Sequence, residues 1–473
     1  MRILAVAAEL YPYVKVGGLG DVMAALPKAL RRLGADARLI LPGYPEIRAV
    51  QPGARPVWSH PDLMGQREAR VLLGEAEGGV PLYILESPGL FKEDGGPYGD
   101  WKRAHLRFSA LSWAAADLAR KGDGSGWKPD ILHAHDWPAG LAPAYLALGA
   151  GPRPRTLMTI HNIAYQGSFP PSVLNEVWLP PEAYAVEGAE LNGSLSFLKA
   201  GLHYADRIGT VSPTYAEEIQ LPIGGRGLEG LLAWRRESLS GILNGIDTEI
   251  WDPDQDPHLV LPFSREALEH RSLGKTALQM ELGLDEEPAA PLFGVVSRLE
   301  GIKGLDLLLP ILPELVAQGA QFALLGSGDP ALEAAFRAQA EAFPGRVAVR
   351  IGYDEGLAHR LYAGVDAFAV PSRSEPCGLT QMYALRYGAL PVVRRTGGLA
   401  DTVFDAEDLD WGNGFVFELE DSAELAEALF RACDLYRYSP GTWRDLQLRA
   451  MGIDHGWEVS AGKYLALFES MLE

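Results

Sequence analysis

The sequence has only two cysteines, Cys377 and Cys433, and it has no uninterrupted apolar run of about 18 residues. Two cysteines cannot form a disulfide framework or a four-cysteine zinc site, which favours a reducing compartment. The missing apolar run argues against a transmembrane helix. The apolar N-terminus resembles a signal peptide, but Glu9 interrupts it, and Tyr11 and Pro12 follow where a cleavage site needs small residues. We therefore predict a buried first strand and a cytoplasmic protein.

Basic residues are scarce relative to acidic ones, since 42 Lys and Arg against 62 Asp and Glu give a net charge of −20. This balance argues against a chain that binds nucleic acid, which needs a net basic face, and against attraction to anionic membranes. Hydrophobic residues make up 47% of the chain, which excludes general disorder. We expect a globular protein that binds neither nucleic acid nor membrane.

Short apolar runs alternate with helical patterns along the whole chain, which predicts an α/β protein with parallel sheets covered by helices on both faces. A single sheet of about twelve strands would be unusual, so two doubly wound domains are predicted. The predicted strands are residues 3–8, 37–41, 82–85, 131–134, 156–160, 207–211, 239–243, 292–296, 322–325, 347–351, 367–370 and 390–393. We place the first domain at residues 1–241 and the second at 242–455. Residues 456–473 are predicted to form a final helix, which could dock on either domain.

Glycines and polar residues follow several predicted strands, at the sheet edge where α/β proteins bind ligands. Lys15 and the glycines Gly17, Gly18 and Gly20 come after the first strand. Their backbone N–H groups and the start of the next helix suit an anion, and Lys15 adds a charge for a phosphate. The spacing fits neither the dinucleotide fingerprint nor the P-loop. A glycine turn required only for packing is the alternative.

Histidines follow two further strands of the first half. His133 and His135 share one strand face, which suggests metal ligands, but no other cysteine or carboxylate spacing completes a site. Polar groups at a strand end, or part of the wall of a ligand site, are the stronger alternatives. His161 ends the next strand, where a ligand-binding role and a structural role both remain open. Gln166 nearby adds a polar group for sugar hydroxyls.

Two motifs of the second half place charged side chains after strands. Arg298 and Lys303 lie on one glycine-containing loop, and two such cations could hold the two phosphates of a diphosphate. Solvated surface charges are the alternative. Glu375 is followed by Gly378, Leu379 and Thr380, which are predicted to open a helix, so a carboxylate acceptor would lie beside amides that bind anions. Helix capping is the alternative role for Glu375.

Together these motifs resemble those of the bacterial glycogen synthase and plant starch synthase family of glycosyltransferases. The matching segments follow the family's order along nearly the whole chain. They are residues 15–22, 133–137, 161–167, 244–247, 297–304, 375–381 and 397–403. The resemblance implies a GT-B type fold, in which two Rossmann-like domains face a deep cleft and the last helix crosses back to the first domain. It also implies that the first domain holds the glucan acceptor and the second holds most of the nucleotide sugar.

The resemblance implies a reaction as well: transfer of glucose from ADP-glucose to the non-reducing end of an α-1,4-glucan such as glycogen, with retention of anomeric configuration. Retention through a covalent glycosyl-enzyme and retention by front-face attack both remain open. No metal and no other cofactor is implied, because Arg298 and Lys303 would neutralise the leaving diphosphate in place of a divalent ion. The sequence predicts no particular oligomeric state.

The same resemblance implies roles for individual residues. Glu375 would bind glucose hydroxyls and stabilise positive charge near the anomeric carbon, while His161 would contribute to the glucose pocket. Lys15 and Gly18 would reach the phosphates or the sugar. The catalytic candidates are therefore Glu375, Arg298, Lys303 and His161. The donor-binding candidates are Lys15, Gly18, Asp136, Asn244, Tyr353 near the adenine, and Gly378, Leu379 and Thr380 at a phosphate.

The sequence departs from the family pattern at two positions. Ile302 stands where a glutamine commonly precedes the lysine–glycine pair, and Ser374 stands where an aromatic commonly precedes the Glu-Pro-Cys-Gly run. Both could change the polarity of the donor pocket. The alternative functions are a glucan synthase that uses UDP-glucose, a sucrose- or trehalose-forming transferase, and a catalytically silent sugar-binding protein. A catalytically silent protein is disfavoured because the sequence keeps all four charged candidates, which are Lys15, Arg298, Lys303 and Glu375. A dehydrogenase is disfavoured because the glycine spacing of dinucleotide-binding proteins is absent.

Overall fold

The computed structural model describes residues 1–91, 96–99 and 101–473, which form two compact units. The first unit comprises residues 1–245 and 457–473, and the second comprises residues 246–456. The first unit extends a few residues beyond the predicted boundary because Ile242 prolongs the sheet, its N–H donating to the Thr210 carbonyl at 2.9 Å. The second unit begins at Ile246, whose N–H donates to the His455 carbonyl at 2.8 Å.

The strands and helices are numbered along the chain. The strands are β1 Arg2–Val6, β2 Asp36–Pro42, β3 Arg55–His60, β4 Ala69–Ala76, β5 Val80–Glu86, β6 Ile131–His135, β7 Arg155–Ile160, β8 Ser168–Phe169, β9 Glu190–Leu191, β10 Ser194–Ser196, β11 Arg207–Thr210, β12 Leu239–Gly241, β13 Leu292–Val296, β14 Gln321–Gly326, β15 Val347–Ile351, β16 Ala367–Val370, β17 Leu390–Arg394 and β18 Phe415–Phe417. The α-helices are α1 Gly18–Arg32, α2 Pro45–Ala49, α3 Ala104–Lys121, α4 Asp136–Ala139, α5 Leu141–Leu148, α6 Phe197–Tyr204, α7 Pro213–Glu218, α8 Pro222–Gly225, α9 Glu229–Trp234, α10 Arg271–Leu282, α11 Leu312–Ala317, α12 Pro330–Ala342, α13 Glu355–Gly364, α14 Thr380–Arg386, α15 Gly397–Thr402, α16 Ser422–Tyr438, α17 Pro440–Gly452 and α18 Trp457–Leu472.

The main sheet of the first unit has the strand order β12-β11-β7-β6-β1-β2-β5-β4-β3. The strands from β12 to β5 are parallel, as predicted. The apolar runs of the central strands β1, β6 and β7 are buried on both faces. At one edge the sheet also contains β4 and β3, two antiparallel strands that were not predicted from the sequence. Gly78 and Gly79, with φ of 76° and 75°, form the turn of the β4–β5 hairpin.

The C-terminal helix α18 belongs to the first unit. It packs against α1, where Arg32 Nη1 lies 2.8 Å from Glu458 Oε1. On its buried face, the rings of Tyr464 and Phe468 each lie 5.5 Å from the ring of His133 on β6. The helix therefore covers the strand that leads to one of the candidate motifs.

The second unit contains a six-stranded parallel sheet with the order β15-β14-β13-β16-β17-β18. Its core packs around Phe293, Phe322 and Phe368, which are almost completely buried. The doubly wound arrangement predicted from the sequence is confirmed, and candidate loops follow β13, β15, β16 and β17 at their carboxyl ends. Within the described part of the chain, every helix is too short or too polar to cross a membrane.

Candidate active site

A buried carboxylate holds the glycine-rich segment after β1. Glu9 is 4% exposed, and its Oε2 accepts hydrogen bonds from the N–H groups of Val16 at 2.7 Å and Gly17 at 3.0 Å. Its Oε1 accepts a hydrogen bond from the Tyr98 hydroxyl at 2.8 Å. The sequence predicted that amides of this segment face an anion. Two of them instead bind a carboxylate of the protein itself.

Helix α1 begins at Gly18, directly after this segment. Its N-cap residue, Gly17, has no side chain that could accept hydrogen bonds from the first turn. The helix terminus therefore carries the positive end of the helix dipole without a capping group. Lys15 reaches the same turn, because its Nζ lies 2.7 Å from Asp21 Oδ1, and its side chain stays 40% exposed. Lys15 and Gly18 thus lie together at a helix terminus that suits an anionic ligand.

Three histidines meet where β6 and β7 end. His133 Nε2 lies 2.7 Å from Thr159 Oγ1, and His135 Nδ1 lies 2.9 Å from His161 Nε2. Burial lowers the pKa of His133 and of His161 to about 3, and lowers the pKa of His135 well below its usual value. All three rings are therefore neutral at physiological pH and act as hydrogen-bonding groups.

The lowered pKa of His133 predicts a loss of stability in acid. His133 is protonated in the unfolded chain below about pH 6.5, but in the folded chain only near pH 3. Between these values, the free energy of unfolding therefore falls by about 1.4 kcal/mol for each pH unit of acidification and each such proton. His133→Gln keeps a hydrogen-bonding group near Thr159 but cannot titrate. We expect thermal unfolding to shift less between about pH 7 and about pH 5 in His133→Gln than in the wild type.

Identical pH dependence in His133→Gln and the wild type would contradict the assignment of this acid sensitivity to the buried histidines.

Asp136 and Asn244 are the remaining predicted site residues of the first unit. Asp136, at a φ of 55°, accepts a hydrogen bond from the His161 N–H at 2.7 Å, and burial raises the pKa of its carboxyl to about 7. Asn244 is 8% exposed, and its Oδ1 has no hydrogen-bond partner within the described chain, which leaves an acceptor for a ligand. Residues 1–91, 96–99 and 101–473 contain no cluster of three or more His, Cys, Asp or Glu that could hold a metal ion.

In the second unit, two loops bring Lys303 and Glu375 together. Lys303 Nζ lies 2.6 Å from Glu375 Oε2, although the two residues are 72 positions apart in the sequence. The Ser372 hydroxyl donates to the same oxygen at 2.9 Å. Glu375 is only 8% exposed, whereas the Lys303 side chain is 21% exposed. The loop after β13 and the loop after β16 therefore bring a more accessible cation into contact with a mostly buried carboxylate.

The backbone beside Lys303 depends on a glycine. Gly304 has a φ of 65°, and an added Cβ would lie 2.0 Å from the Pro371 carbonyl oxygen. Gly304→Ala is therefore expected to lower the free energy of unfolding by about 1–3 kcal/mol, as measured by denaturant unfolding. Gly301 in the same loop has no atom within 4 Å of its added Cβ, so Gly301→Ala is the matched control with little expected effect. Equal destabilisation by both substitutions would contradict this explanation.

A buried amide fixes the turn between Glu375 and α14. Gln381 is fully buried, and its Nε2 donates to the carbonyls of Cys377 at 3.0 Å and Gly378 at 2.9 Å. Gly378 has a φ of 74°, a conformation that glycine adopts without strain. Leu379 is the N-cap residue of α14 and Thr380 is its first residue. The three predicted phosphate-binding residues therefore form one turn close in sequence to Glu375.

The remaining candidates of this unit lie on exposed loops. Arg298 follows β13, and its Nη1 pairs with Glu300 Oε1 at 2.8 Å while its side chain stays 55% exposed. Tyr353 follows β15, is 83% exposed, and donates its hydroxyl hydrogen bond to Glu355 Oε2 at 3.2 Å. The structure thus joins Lys303 directly to Glu375, whereas it pairs Arg298 with Glu300.

Sequence reasoning missed Glu9, Tyr98 and Ser372. Glu9 was considered only as an interruption of the apolar N-terminus, although a charged residue straight after a buried strand is a usable signal for a site. Ser372 carries a similar signal, because it closely follows the predicted strand at residues 367–370. Tyr98 carries none, because the fold alone brings its hydroxyl to the carboxylate of Glu9.

Each of the two units contains a segment that matches a known protein family. Residues 2–234 match the family described as starch synthase catalytic domain, and residues 290–434 match the family described as glycosyl transferases group 1. A glycogen synthase from Roseobacter denitrificans is 49% identical over 481 residues, and one from Serratia proteamaculans is 46% identical over 482 residues. In both alignments the match covers 100% of this chain and 100% of the relative.

Solved structures show the same likeness. The catalytic domain of starch synthase IV from Arabidopsis thaliana, bound to ADP and acarbose, matches with a TM-score of 0.88 and 35% identity, covering 100% of this chain and 99% of that one. Sucrose-phosphate synthase from Thermosynechococcus elongatus matches with a TM-score of 0.62 and 18% identity, covering 99% and 98%, which is a likeness of fold alone. These matches confirm the predicted GT-B fold class.

Proposed function

The chain belongs to the glycogen synthase and starch synthase family of glycosyltransferases, and we propose that it transfers glucose from ADP-glucose to the non-reducing end of an α-1,4-glucan with retention of anomeric configuration. The observation that carries this proposal is 49% identity along the entire chain to a glycogen synthase. The donor is proposed to be ADP-glucose because the starch synthase neighbour was solved with ADP. Lys303 and Glu375, which are in contact, supply a positive charge for the leaving diphosphate and a negative charge for the glucosyl group.

The leaving diphosphate is the proposed ligand of Lys303 and Arg298. Breaking the bond between glucose and diphosphate leaves negative charge on the phosphate oxygens, and fixed cations lower the barrier for that step. The ammonium of Lys303 is held beside Glu375 and is partly exposed, and Arg298 offers the fork geometry that suits phosphate. The turn of Gly378, Leu379 and Thr380 is proposed to add backbone donors to a phosphate.

Glu375 is proposed to act on the glucose half. The transition state of glucosyl transfer resembles an oxocarbenium cation, which a nearby carboxylate stabilises. Ser372 and Lys303 both contact Oε2 of Glu375, so they orient this carboxylate and leave Oε1 for sugar hydroxyls or the anomeric centre. No second carboxylate is required by this proposal.

The first unit is proposed to contribute neutral hydrogen-bonding groups and one further cation. His161 and Asn244 would bind sugar hydroxyls, and Asp136 orients His161 through its backbone N–H. Lys15 and Gly18, at the N-terminus of α1, would bind phosphate or sugar oxygens. Tyr353, whose exposed ring belongs to the second unit, is proposed to pack near the adenine.

We also propose that the reaction proceeds without a metal, because lysine and arginine side chains can neutralise the diphosphate. The glucan acceptor and ADP-glucose are the proposed partners. A cytoplasmic location, and the absence of nucleic-acid or membrane binding, stay predictions of the composition.

The proposed function is tested by incubating the protein with glycogen and either ADP-glucose or UDP-glucose, each labelled in the glucose. We expect label in the glucan, with ADP-glucose as the better donor, and unchanged rates in EDTA. Faster transfer from UDP-glucose would correct the donor. Activity lost in EDTA and restored by Mg²⁺ would contradict metal independence. Label in glucan from neither donor would support the silent sugar-binding alternative.

A further inference from the structure

Arg373 joins the two loops that carry Lys303 and Glu375. Its Nη1 and Nη2 bind the two carboxylate oxygens of Asp306 at 2.7 and 2.8 Å, and Nη1 also donates to the Gly301 carbonyl at 2.5 Å. Asp306 and Gly301 bracket Lys303 on the 301–306 loop. Arg373 itself lies on the 372–375 loop, next to Ser372. The guanidinium of Arg373 therefore binds the 301–306 loop both before and after Lys303.

The main chain of Arg373 reinforces the same connection. Its N–H donates to the Ile302 carbonyl at 2.9 Å, directly before Lys303. From the other side, the guanidinium of Arg394 donates to the carbonyls of Ser372 and Arg373, so the 372–375 loop is fixed against β17. The Arg373 Nε also pairs with Glu420, which lies beyond β18. Each guanidinium nitrogen of Arg373, and its backbone N–H, thus donates at least one hydrogen bond to another part of the second unit.

We propose that Arg373 is a positioning residue that sets the distance between Lys303 and Glu375, and that donor turnover depends on it although it touches neither donor nor acceptor. This inference rests on the proposed function, because it assigns to Arg373 the alignment of the two groups that act on the diphosphate and the sugar. A lysine could replace the charge but not the planar fork that binds Asp306 through two oxygens and Gly301 at once.

The electrostatics of the pair agree with a persistent contact. The hydrogen bonds from Arg373 lower the pKa of the Asp306 carboxyl, and the hydrogen bonds to Asp306 raise the pKa of the Arg373 guanidinium. Both shifts favour the ionised forms of the two side chains. Its side chains are 24% and 42% exposed, so its contribution to global stability is modest. Its main effect is the alignment of two loops.

The chain contains a matched control for this arrangement. Arg431 Nη1 and Nη2 bind the two oxygens of Asp405, each at 2.9 Å, and Nη2 donates to the Val416 carbonyl at 3.1 Å. Its side chain is 29% exposed, close to the 24% of Arg373. Arg431 therefore repeats the bidentate pair and the carbonyl contact in the same unit, but holds neither the 301–306 loop nor the 372–375 loop.

The test compares wild type, Arg373→Gln, Arg373→Lys and Arg431→Gln in the full-length protein. Three quantities are measured: the rate of glucose transfer from ADP-glucose to glycogen, the thermal unfolding midpoint, and amide hydrogen exchange in peptides that cover residues 301–306. We expect Arg373→Gln to slow transfer about 100-fold, since a shift of about 1 Å at a reacting group has effects of that size. Its loop amides should exchange faster while the unfolding midpoint changes no more than in Arg431→Gln.

We expect Arg373→Lys to fall between Arg373→Gln and the wild type, and Arg431→Gln to transfer glucose at nearly the wild-type rate. Near-normal transfer by Arg373→Gln, or an equal loss in Arg431→Gln, would overturn the proposal. Unchanged hydrogen exchange in the 301–306 loop of Arg373→Gln would also overturn it. A wild type that transfers no glucose would refute the proposed function instead, and the exchange measurement would still decide whether Arg373 holds the loop.

Discussion

Replacement of Lys303 by methionine is expected to slow glucose transfer by about 10³-fold and to weaken ADP binding. The substitution keeps most of the side-chain length but removes the ammonium that lies 2.6 Å from Glu375 Oε2. Without it, charge that develops on the leaving diphosphate loses a fixed counterion. The Glu375 carboxylate also loses its ion-pair partner, although it keeps the hydrogen bond from Ser372. Transfer rates and calorimetric binding of ADP measure the two effects separately.

Loss of a partly buried charge could slow the enzyme simply by destabilising it, and Lys275→Met controls for that. Lys275 Nζ pairs with Asp366 Oδ2 at 2.6 Å, and both side chains are more than nine-tenths buried in the second unit. Lys275→Met should destabilise the fold at least as much as Lys303→Met, while each folded molecule keeps its transfer rate and its affinity for ADP. Normal ADP binding by Lys303→Met would contradict a diphosphate role for Lys303.

Replacement of Glu375 by glutamine is expected to slow transfer by at least about 10²-fold and to leave ADP binding intact or tighter. Glutamine preserves the shape and an oxygen that can accept the Ser372 hydrogen bond, but removes the negative charge that favours a cationic glucosyl group. The same charge would repel a bound diphosphate, so its removal does not weaken ADP binding. Weaker ADP binding in Lys303→Met, without any weakening in Glu375→Gln, would separate the phosphate role from the sugar role.

Glu287→Gln is the control for this substitution. Glu287 is an exposed carboxylate of the second unit that pairs with Arg346 at 2.7 Å. Its replacement should change neither transfer nor ADP binding. A Glu375→Gln protein with a near-normal transfer rate would remove Glu375 from the chemical step, and a variant that lost ADP binding together with transfer would indicate a collapsed site.

The parallel core of both units could be predicted from the sequence, because strands buried on both faces appear as continuous apolar runs with helices between them. The runs at residues 292–296, 347–351 and 367–370 match β13, β15 and β16 in full. The antiparallel edge strands β3 and β4 were missed because they are partly exposed and their apolar pattern is weak. The short β18 was missed because it has only three residues.

The site could be predicted only as a set of positions that follow strands. Lys303 and Glu375 were identified by residue type and neighbouring glycines, but the sequence gives no sign that they pair with each other. That contact depends on loop geometry fixed by Gly304 and Arg373, whose partners lie far away in the sequence. Likewise, the binding of Glu9 to the amides of Val16 and Gly17 is a tertiary result that no local pattern predicts.

The most direct test of the account is analysis of the product formed from ADP-glucose and a defined malto-oligosaccharide. Nuclear magnetic resonance and chromatography should show a chain extended by glucose at its non-reducing end, an α-1,4 bond at the new linkage, and one ADP released for each glucose added. A β-linkage, free glucose in place of an extended chain, or release of ADP without extension would contradict the assignment of this protein as a retaining α-glucan synthase.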